Sequence, residues 1–439
     1  MDTPVIDFLE KYASSGPLRC HMPGHKGRIL PYVSAANDIT EIAGADSLFD
    51  AEGIIAESER NMSALYGSAA TVYSAGGSTL CIQAMLAIMK NERRRVFAVR
   101  NAHRAFLNAA ALLGLEVDWL MPEYRGGILS GELSPAAAEA ALSGCGEHAC
   151  LYVTSPDYTG RMADIRGLSE VCRKYDARLI VDNAHGAHLA FLPDNMHPIA
   201  LGADMCCDSA HKMLPALTGA AMLHTSRQEY AEKLKPAMGL FGSTSPSYLI
   251  MASLDGCVKY IAEEIRTDIA AGLAELEALR YEYADSLVFA EGDPFHVTIC
   301  AAESGYSGGE LAGLLRKNGC ECEYADDSIV ILLMSPADSP EEFRRLREIL
   351  GRTLSEAHRI APVKAAFSQE LPVRAMSIRE AVFAPSEDIS VDEAEGRICA
   401  AVRVPCPPAV PIAASGEIID RSCINIFKRY GIFTVNVVK

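Results

Sequence analysis

Lys212 closes the run Ser209-Ala210-His211-Lys212, 30 residues downstream of Asp182 in Val181-Asp182-Asn183-Ala184-His185. An amine just past a short apolar run can hold an aldehyde as a Schiff base. A carboxylate at the end of an earlier apolar strand can sit beneath a pyridine nitrogen and keep it protonated. Pyridoxal phosphate (PLP) needs both groups, one to bind it and one to keep its ring an electron acceptor. Either motif alone occurs by chance in many chains; their order and spacing together point to this cofactor. Gly77-Ser78-Thr79, where a strand-like run gives way to a helix-like one, offers a phosphate seat of backbone N–H groups and a hydroxyl. Alone it would read as an ordinary helix cap.

The elements that must position these groups alternate. Ile54 to Tyr66 reads as a helix, Ala70 to Ser74 as a strand and Thr79 to Lys90 as a helix. Strands at 96–99, 117–120, 149–154 and 178–182 then alternate with helices at 105–113, 135–142 and 167–175. This pattern predicts an α/β fold with a mostly parallel sheet flanked by helices, whose ligands bind beyond the strands' carboxyl ends. His103, Ser155, Asp182 and Lys212 all follow strand-like runs. Ser247 to Tyr283 lacks proline and reads as one long, bent helix. Strands at 295–299, 322–324 and 329–333 and helices at 309–317 and 340–350 predict a smaller α+β domain. The expected organisation is an N-terminal arm (1–35), a large cofactor-binding domain (36–255), a connecting helix (256–290), the small α+β domain (291–352) and a C-terminal segment (353–439). The arm is expected to pack across another subunit or the active-site mouth, and the C-terminal segment to end in a strand at 432–438.

Composition narrows the class. The 439 residues are 49% hydrophobic and 22% charged, ordinary for a globular protein. No apolar run reaches membrane-spanning length, and the start carries no secretory pattern. The 14 cysteines lack framework spacing, so free thiols in the cytoplasm are expected. Cys206-Cys207 and Cys320-x-Cys322 lack zinc-ligand spacing, and no metal is expected. A net charge of −17 argues against nucleic acid as the main partner.

His21-Met22-Pro23-Gly24-His25-Lys26-Gly27, together with Ser209 to Thr218, resembles the bacterial ornithine/lysine/arginine decarboxylases, PLP enzymes of the aspartate-aminotransferase fold type. The resemblance continues through Asn101-Ala102-His103, Thr154-Ser155-Pro156 and Ser243-Thr244-Ser245-Pro246. It implies that Lys212 binds the cofactor, that Asp182 pairs with its ring nitrogen and that His103 stacks on one ring face, with small Ala184 on the other. It also implies that Gly77, Ser78, Thr79, Ser209 and His211 hold the phosphate. Ser243 and Thr244 would reach the neighbouring subunit's phosphate, making a homodimer or higher assembly with shared active sites. His185 or His188 would support Asp182 by a hydrogen bond. The chain resembles the short forms, which lack the family's N-terminal wing domain.

There are departures. Relatives usually carry glutamate at Asn183, glutamine at Gly219 and Tyr-Pro-Pro-Gly-Ile-Pro at Cys406 to Pro411; Ala102, Arg104 and Ala105 replace a common Cys, Lys and Ser. The expected activity is decarboxylation of a basic amino acid (arginine, lysine or ornithine) to its amine. The alternatives are an aminotransferase or lyase on the same fold, or a catalytically silent regulatory homologue. Arg379 and Arg403 are candidates for the substrate carboxylate. Glu321, Glu323, Asp326 and Asp327 are candidates for a substrate cation.

Overall fold

The computed structural model describes residues 4–146, 148–364, 367–401 and 409–439. Arg403, the prolines at 405, 407 and 408, and the first half of the 406–411 segment lie outside these residues. A seven-stranded sheet forms the centre of the large domain. Its strands in chain order are β1 (Ala70–Ser74), β2 (Arg95–Val99), β3 (Val117–Leu120), β4 (Ala149–Thr154), β5 (Arg178–Asp182), β6 (Met205–Asp208) and β7 (Ala221–Thr225). They lie in the order β1-β7-β6-β5-β4-β2-β3. All pairings are parallel except those of β7, which runs antiparallel to both its neighbours. Ala-Cys-Leu-Tyr-Val-Thr in β4 and Arg-Leu-Ile-Val-Asp in β5 are nearly continuous apolar runs, as strands buried on both faces require.

The parallel strands aim their carboxyl ends at one crevice. Thr154 ends β4, Asp182 ends β5 and Asp208 ends β6, while Asn101 follows β2. The one-turn helix Ala210–Met213 then carries Lys212 away from β6. Helix Gly77–Asn91 packs on the sheet after β1, its face of Leu80, Ile82, Met85, Leu86 and Met89 fully buried.

The expected long helix is two, Tyr248–Glu263 and Ile265–Glu282, broken where Glu264 takes φ −124° and ψ −41°. No proline or glycine marks this break. It redirects the second helix so that Ile265, Ile269, Leu276 and Leu279 all bury toward the small domain. That domain has a three-stranded antiparallel sheet, His296–Ile299, Val330–Leu333 and Tyr324–Ala325. Helices Gly308–Lys317 and Pro340–Glu356 accompany it, the second opened by a Ser339/Glu342 capping box.

The first residues dock on the chain's own small domain. After helix Pro4–Ser15, the strand Leu18–Cys20 pairs in parallel with Cys320–Cys322. The following turn lies against the Lys212 loop: the Gly24 N–H donates to the His211 carbonyl (2.7 Å). A Cβ on Gly24 would meet the Leu214 carbonyl oxygen at 2.7 Å, so only glycine lets the two backbones approach this closely. Lys26 anchors the turn by donating to the carbonyls of His21 and Leu333. In the C-terminal segment, strands Ser386–Ser390 and Thr434–Val438 pair antiparallel. Buried Arg100 ties that segment to β2 through a bidentate bond to Glu417 (2.9 and 2.6 Å).

Candidate active site

Lys212, Asp182, His103, Ala184, His185 and Ser78 line one pocket at the carboxyl edge of the sheet, together with Asn101, Thr154, Asp157, Tyr158 and Val410. Asp182 is almost fully buried. Its Oδ2 accepts from the Tyr152 hydroxyl (3.0 Å) and its Oδ1 from the Ala184 N–H (3.2 Å). Burial pushes this carboxyl above the usual range, while Lys212 and these donors oppose the shift. Among the described residues no cation forms an ion pair with it, so it gains most from a cationic N–H brought in from outside.

The other phosphate and ring-face candidates divide. The Ser209 hydroxyl donates to Ser78 Oγ (2.9 Å), joining two hydroxyls at the start of helix Gly77–Asn91. Gly77 takes a left-handed φ of +69°, which glycine allows. Thr79 faces an adjoining cleft with Gly76, Phe241 and Ser243. His211 is not among the residues lining the pocket, and its Nδ1 donates to the Ala220 carbonyl (2.8 Å). Thr244 is exposed and Ser243 lies in the adjoining cleft, so neither enters the pocket that holds Lys212 in its own chain.

His103 serves two purposes. Its Nδ1 accepts from the Ala105 N–H (3.1 Å), capping helix Arg104–Leu113, while the ring lines the pocket. Burial, with Lys212 and Arg104 nearby, takes its pKa down to about 4, so the ring is neutral near pH 7. The expected hydrogen bond from His185 or His188 to Asp182 is not made. His185 Nε2 instead lies 2.9 Å from Lys212 Nζ, and His188 Nε2 lies 2.8 Å from Asp293. Tyr152 takes the supporting role because β4 and β5 are adjacent and place its hydroxyl beside the carboxylate.

Arg379 is not a carboxylate binder here. Its guanidinium donates to the Ala111 and Leu112 carbonyls at the end of helix Arg104–Leu113. Of the four acidic candidates, Glu321 pairs with Arg316 and Asp326 caps its own turn. Glu323 accepts from the hydroxyl of pocket-lining Tyr158 (2.9 Å). Sequence reasoning missed Tyr152, Tyr158, Asp293 and His296. An aspartate and a histidine three apart at the head of an apolar strand, Asp293-Pro294-Phe295-His296, were the available signal for two of them.

PLP fits this pocket. The side-chain carbonyl oxygen of buried Asn101 and the buried hydroxyl oxygen of half-buried Thr154, both lining it, have no hydrogen-bond partner. Buried polar atoms left in this way call for a polar occupant. An amine, a carboxylate awaiting a cation, a neutral ring and a pair of hydroxyls are the groups the cofactor uses.

Residues 3–285 match the family model for the Orn/Lys/Arg decarboxylase major domain. The chain belongs to this family. Residues 361–433 match the model for the C-terminal domain of Orn/Lys/Arg decarboxylases. An uncharacterized protein of Bacillus subtilis, YaaO, is 29% identical over 98% of this chain and 94% of its own length. An arginine decarboxylase from the same organism is 27% identical over 97% of this chain and 93% of its own. In structure, lysine decarboxylase A from Pseudomonas aeruginosa superposes with a TM-score of 0.74 at 19% identity, covering 92% of this chain and 74% of that one. The fold is thus that of this family, and the chain is a decarboxylase by descent.

Proposed function

We propose that the protein decarboxylates a basic amino acid with PLP bound at Lys212, and that arginine is the substrate to assay first. The observation that carries this is the convergence of Lys212 and Asp182 in one pocket with unpaired polar atoms in its wall. Support for arginine comes from relatives named arginine decarboxylases that align along nearly the whole chain. When bound, PLP supplies the electron sink for the charge left on the substrate α-carbon.

The chain's own groups do the rest. Lys212 Nζ is presented to the pocket by its bond to His185. The Asp182 carboxylate, aimed by Tyr152 and the Ala184 N–H, holds a proton on a ring nitrogen. His103 would offer an uncharged ring and Ala184 a small side chain to a flat group bound in the pocket. Ser78 and Ser209 supply hydroxyls at a helix start, where an anion is favoured. Glu323, through Tyr158, brings a carboxylate toward the pocket for a substrate cation.

The assembly we infer is a homodimer or higher. Ser243, in the cleft beside Thr79, and exposed Thr244 are free to approach a second copy's phosphate seat. Leu240, Ile39, Ile42 and Ile54 are exposed apolar side chains that such a contact would cover. Every described cysteine is free, and no helix among the described residues is long and apolar enough to cross a membrane. A reducing cytoplasm suits such a protein, and its amine product would be of the kind used to build polyamines.

The test is direct. Purified protein supplied with arginine, lysine or ornithine should release carbon dioxide and the amine in equal amounts without a keto acid, and borohydride should fix the cofactor to the Lys212 peptide. A requirement for a keto acid would move the protein to the aminotransferases.

A further inference from the structure

The pocket lysine is the open end of a buried chain of side chains. Lys212 Nζ lies 2.9 Å from His185 Nε2, and His185 Nδ1 lies 3.0 Å from His296 Nε2. His296 Nδ1 lies 2.7 Å from Asp293 Oδ2, whose Oδ1 lies 2.8 Å from His188 Nε2. The three histidines and the aspartate are all at least nine-tenths buried. One assignment of protons satisfies every link. The carboxylate accepts from His296 Nδ1–H and His188 Nε2–H. That leaves His296 Nε2 to accept from His185 Nδ1–H, and His185 Nε2 to accept from Lys212.

We propose that His185, His296 and Asp293 form a proton relay serving Lys212, with His296 and Asp293 acting as positioning residues through His185. This rests on the reading that Lys212 is the cofactor lysine. The carboxylate at the closed end makes His296 Nε2 a stronger acceptor, which does the same for His185 Nε2. The relay therefore favours a proton on the Lys212 nitrogen. When that nitrogen must act as a base, its proton passes to His185 Nε2 while the His185 Nδ1 proton passes to His296 Nε2. His296 is then an imidazolium against the Asp293 carboxylate, and the reverse shift returns the proton. No electrons are gained or lost.

Several observations set this apart from a merely satisfied core cluster. Asp293 would be satisfied by His188 and His296 alone, yet both ring nitrogens of His185 are spent on extending the chain to Lys212. Burial pushes the Asp293 carboxyl up, and the two histidines overcome it, leaving it below the usual carboxylate range. His185 is held well below the imidazole range by burial and by Lys212, His296, His103 and His211 around it. It is therefore a neutral conduit rather than a resting cation. Room for the His296 ring is made by Gly160, where a Cβ would stand 2.4 Å from that of His296. Tyr158 meets the His185 ring edge-on, and Phe295 meets His188. Arg280 donates to the Pro294 carbonyl and adds a positive charge near Asp293.

The experiment is an absorbance titration of the holoenzyme, following protonation of the lysine–cofactor linkage against pH. His296→Gln and Asp293→Asn should each lower the midpoint by about one pH unit, since both remove the anion-backed acceptor. The double variant should shift no further than either single one. His296→Gln leaves the backbone pairing of His296 with Leu333 unaffected, so it decides the matter if Asp293→Asn proves unfolded by circular dichroism. An unchanged midpoint in a folded variant whose cofactor borohydride still fixes to Lys212 would overturn the relay. If borohydride labels no Lys212 peptide in the unaltered protein, the cofactor reading fails and the relay falls with it.

Discussion

Two buried aspartates in this molecule each sit between two histidines, and only one of them is connected to the pocket. Asp293 binds His188 and His296 and continues through His185 to Lys212. Asp208, at the end of β6, lies 3.1 Å from His197 Nε2 and 3.3 Å from His224 Nε2. That second cluster closes on the core: His224 Nδ1 meets the Thr71 hydroxyl (2.8 Å), and Asp208 Oδ1 accepts from Asn183 Nδ2 (2.7 Å). In both, histidines draw the carboxyl below its usual range against the push of burial. The chemistry of the two trios is the same. What separates a working group from a structural one here is where the chain of bonds leads.

The largest expected contrast is in activity. Lys212→Ala should lower turnover by at least about 1,000-fold, as for other essential nucleophilic or acid–base groups. Asp182→Ala should do the same while leaving the fold intact. Asp208→Asn, whose carboxylate touches neither Lys212 nor Asp182, should change kcat by less than about threefold in protein that remains folded. A loss in Asp208→Asn as deep as that in Lys212→Ala would break the comparison, because the closed cluster would then have to reach the chemistry.

The stability contrast should be small where the activity contrast is large. Removing one partner of a buried charged cluster costs on the order of 3–5 kcal/mol, and both Asp208→Asn and Asp293→Asn belong in that range by urea titration. Asn183 sharpens the point. The family resemblance leads one to expect glutamate there, yet Asn183 is fully buried and donates to Asp208. A second carboxylate in its place would face the first in a dry interior. Asn183→Glu should therefore destabilise by about 2 kcal/mol or more, and adding Asp208→Ala should recover part of that loss. Simple addition of the two losses would show that the departure at Asn183 is not a response to Asp208.

Much of this was legible in the sequence, and the parts that were not have physical reasons. β1, β3, β4 and β5 fall where apolar runs bounded by turns place them, because a strand buried on both faces declares itself. Lys212, Asp182 and His103 were visible because their chemistry is carried by short motifs. The link from Lys212 to Asp293 spans 81 residues and two domains, so no local pattern exposes it. The Glu264 break arises from tertiary packing of Ile265 and Ile269 rather than from a helix-breaking residue. Tyr152 reads as an ordinary strand residue until its pairing with the neighbouring strand is known. His211 stands beside the lysine in sequence, and the short helix commits its Nδ1 to the Ala220 carbonyl, a bond no local pattern announces.

The acid response follows from the same groups. His103 and His211 are both held at about 4 by burial, against about 6.5 in an unfolded chain. Between those values the unfolded chain binds more protons, so stability falls as pH drops from about 6.5 toward 4. Asp208 and Asp293 have depressed folded values, so their contribution is present above about 4 and is lost as pH falls through those values. The urea midpoint of cofactor-free protein should thus decline in two stages on acidification. Asp208→Asn and Asp293→Asn should each weaken the lower stage and spare the upper one. Folded-state NMR titration midpoints near 6.5 for His103 and His211 would remove the upper stage.

The smallest expected effect concerns metal. His197, Asp208 and His224 present ligand atoms within 4.8 Å of one another, all buried, a constellation that could hold a cation. Protons already serve the trio. Asp208 Oδ2 accepts from His197, its Oδ1 is taken by Asn183, and the Tyr66 ring packs against both imidazoles. A bound zinc ion would need a fourth ligand, and it would have to displace the bond that Asp208 now accepts from His197. Cys206 Sγ approaches His197 Nε2 only to 3.9 Å, and burial holds that thiol well above its ordinary range, away from the thiolate a metal would require. Dialysis of the holoenzyme against a strong chelator should therefore move its melting temperature by less than about 1 °C, whereas loss of a structural metal costs several kcal/mol and tens of degrees in a small domain. Elemental analysis showing one zinc per chain, with a melting point that falls on chelation and returns with zinc, would make Asp208 a ligand. The two aspartates would then differ in kind, not merely in where their bonds lead.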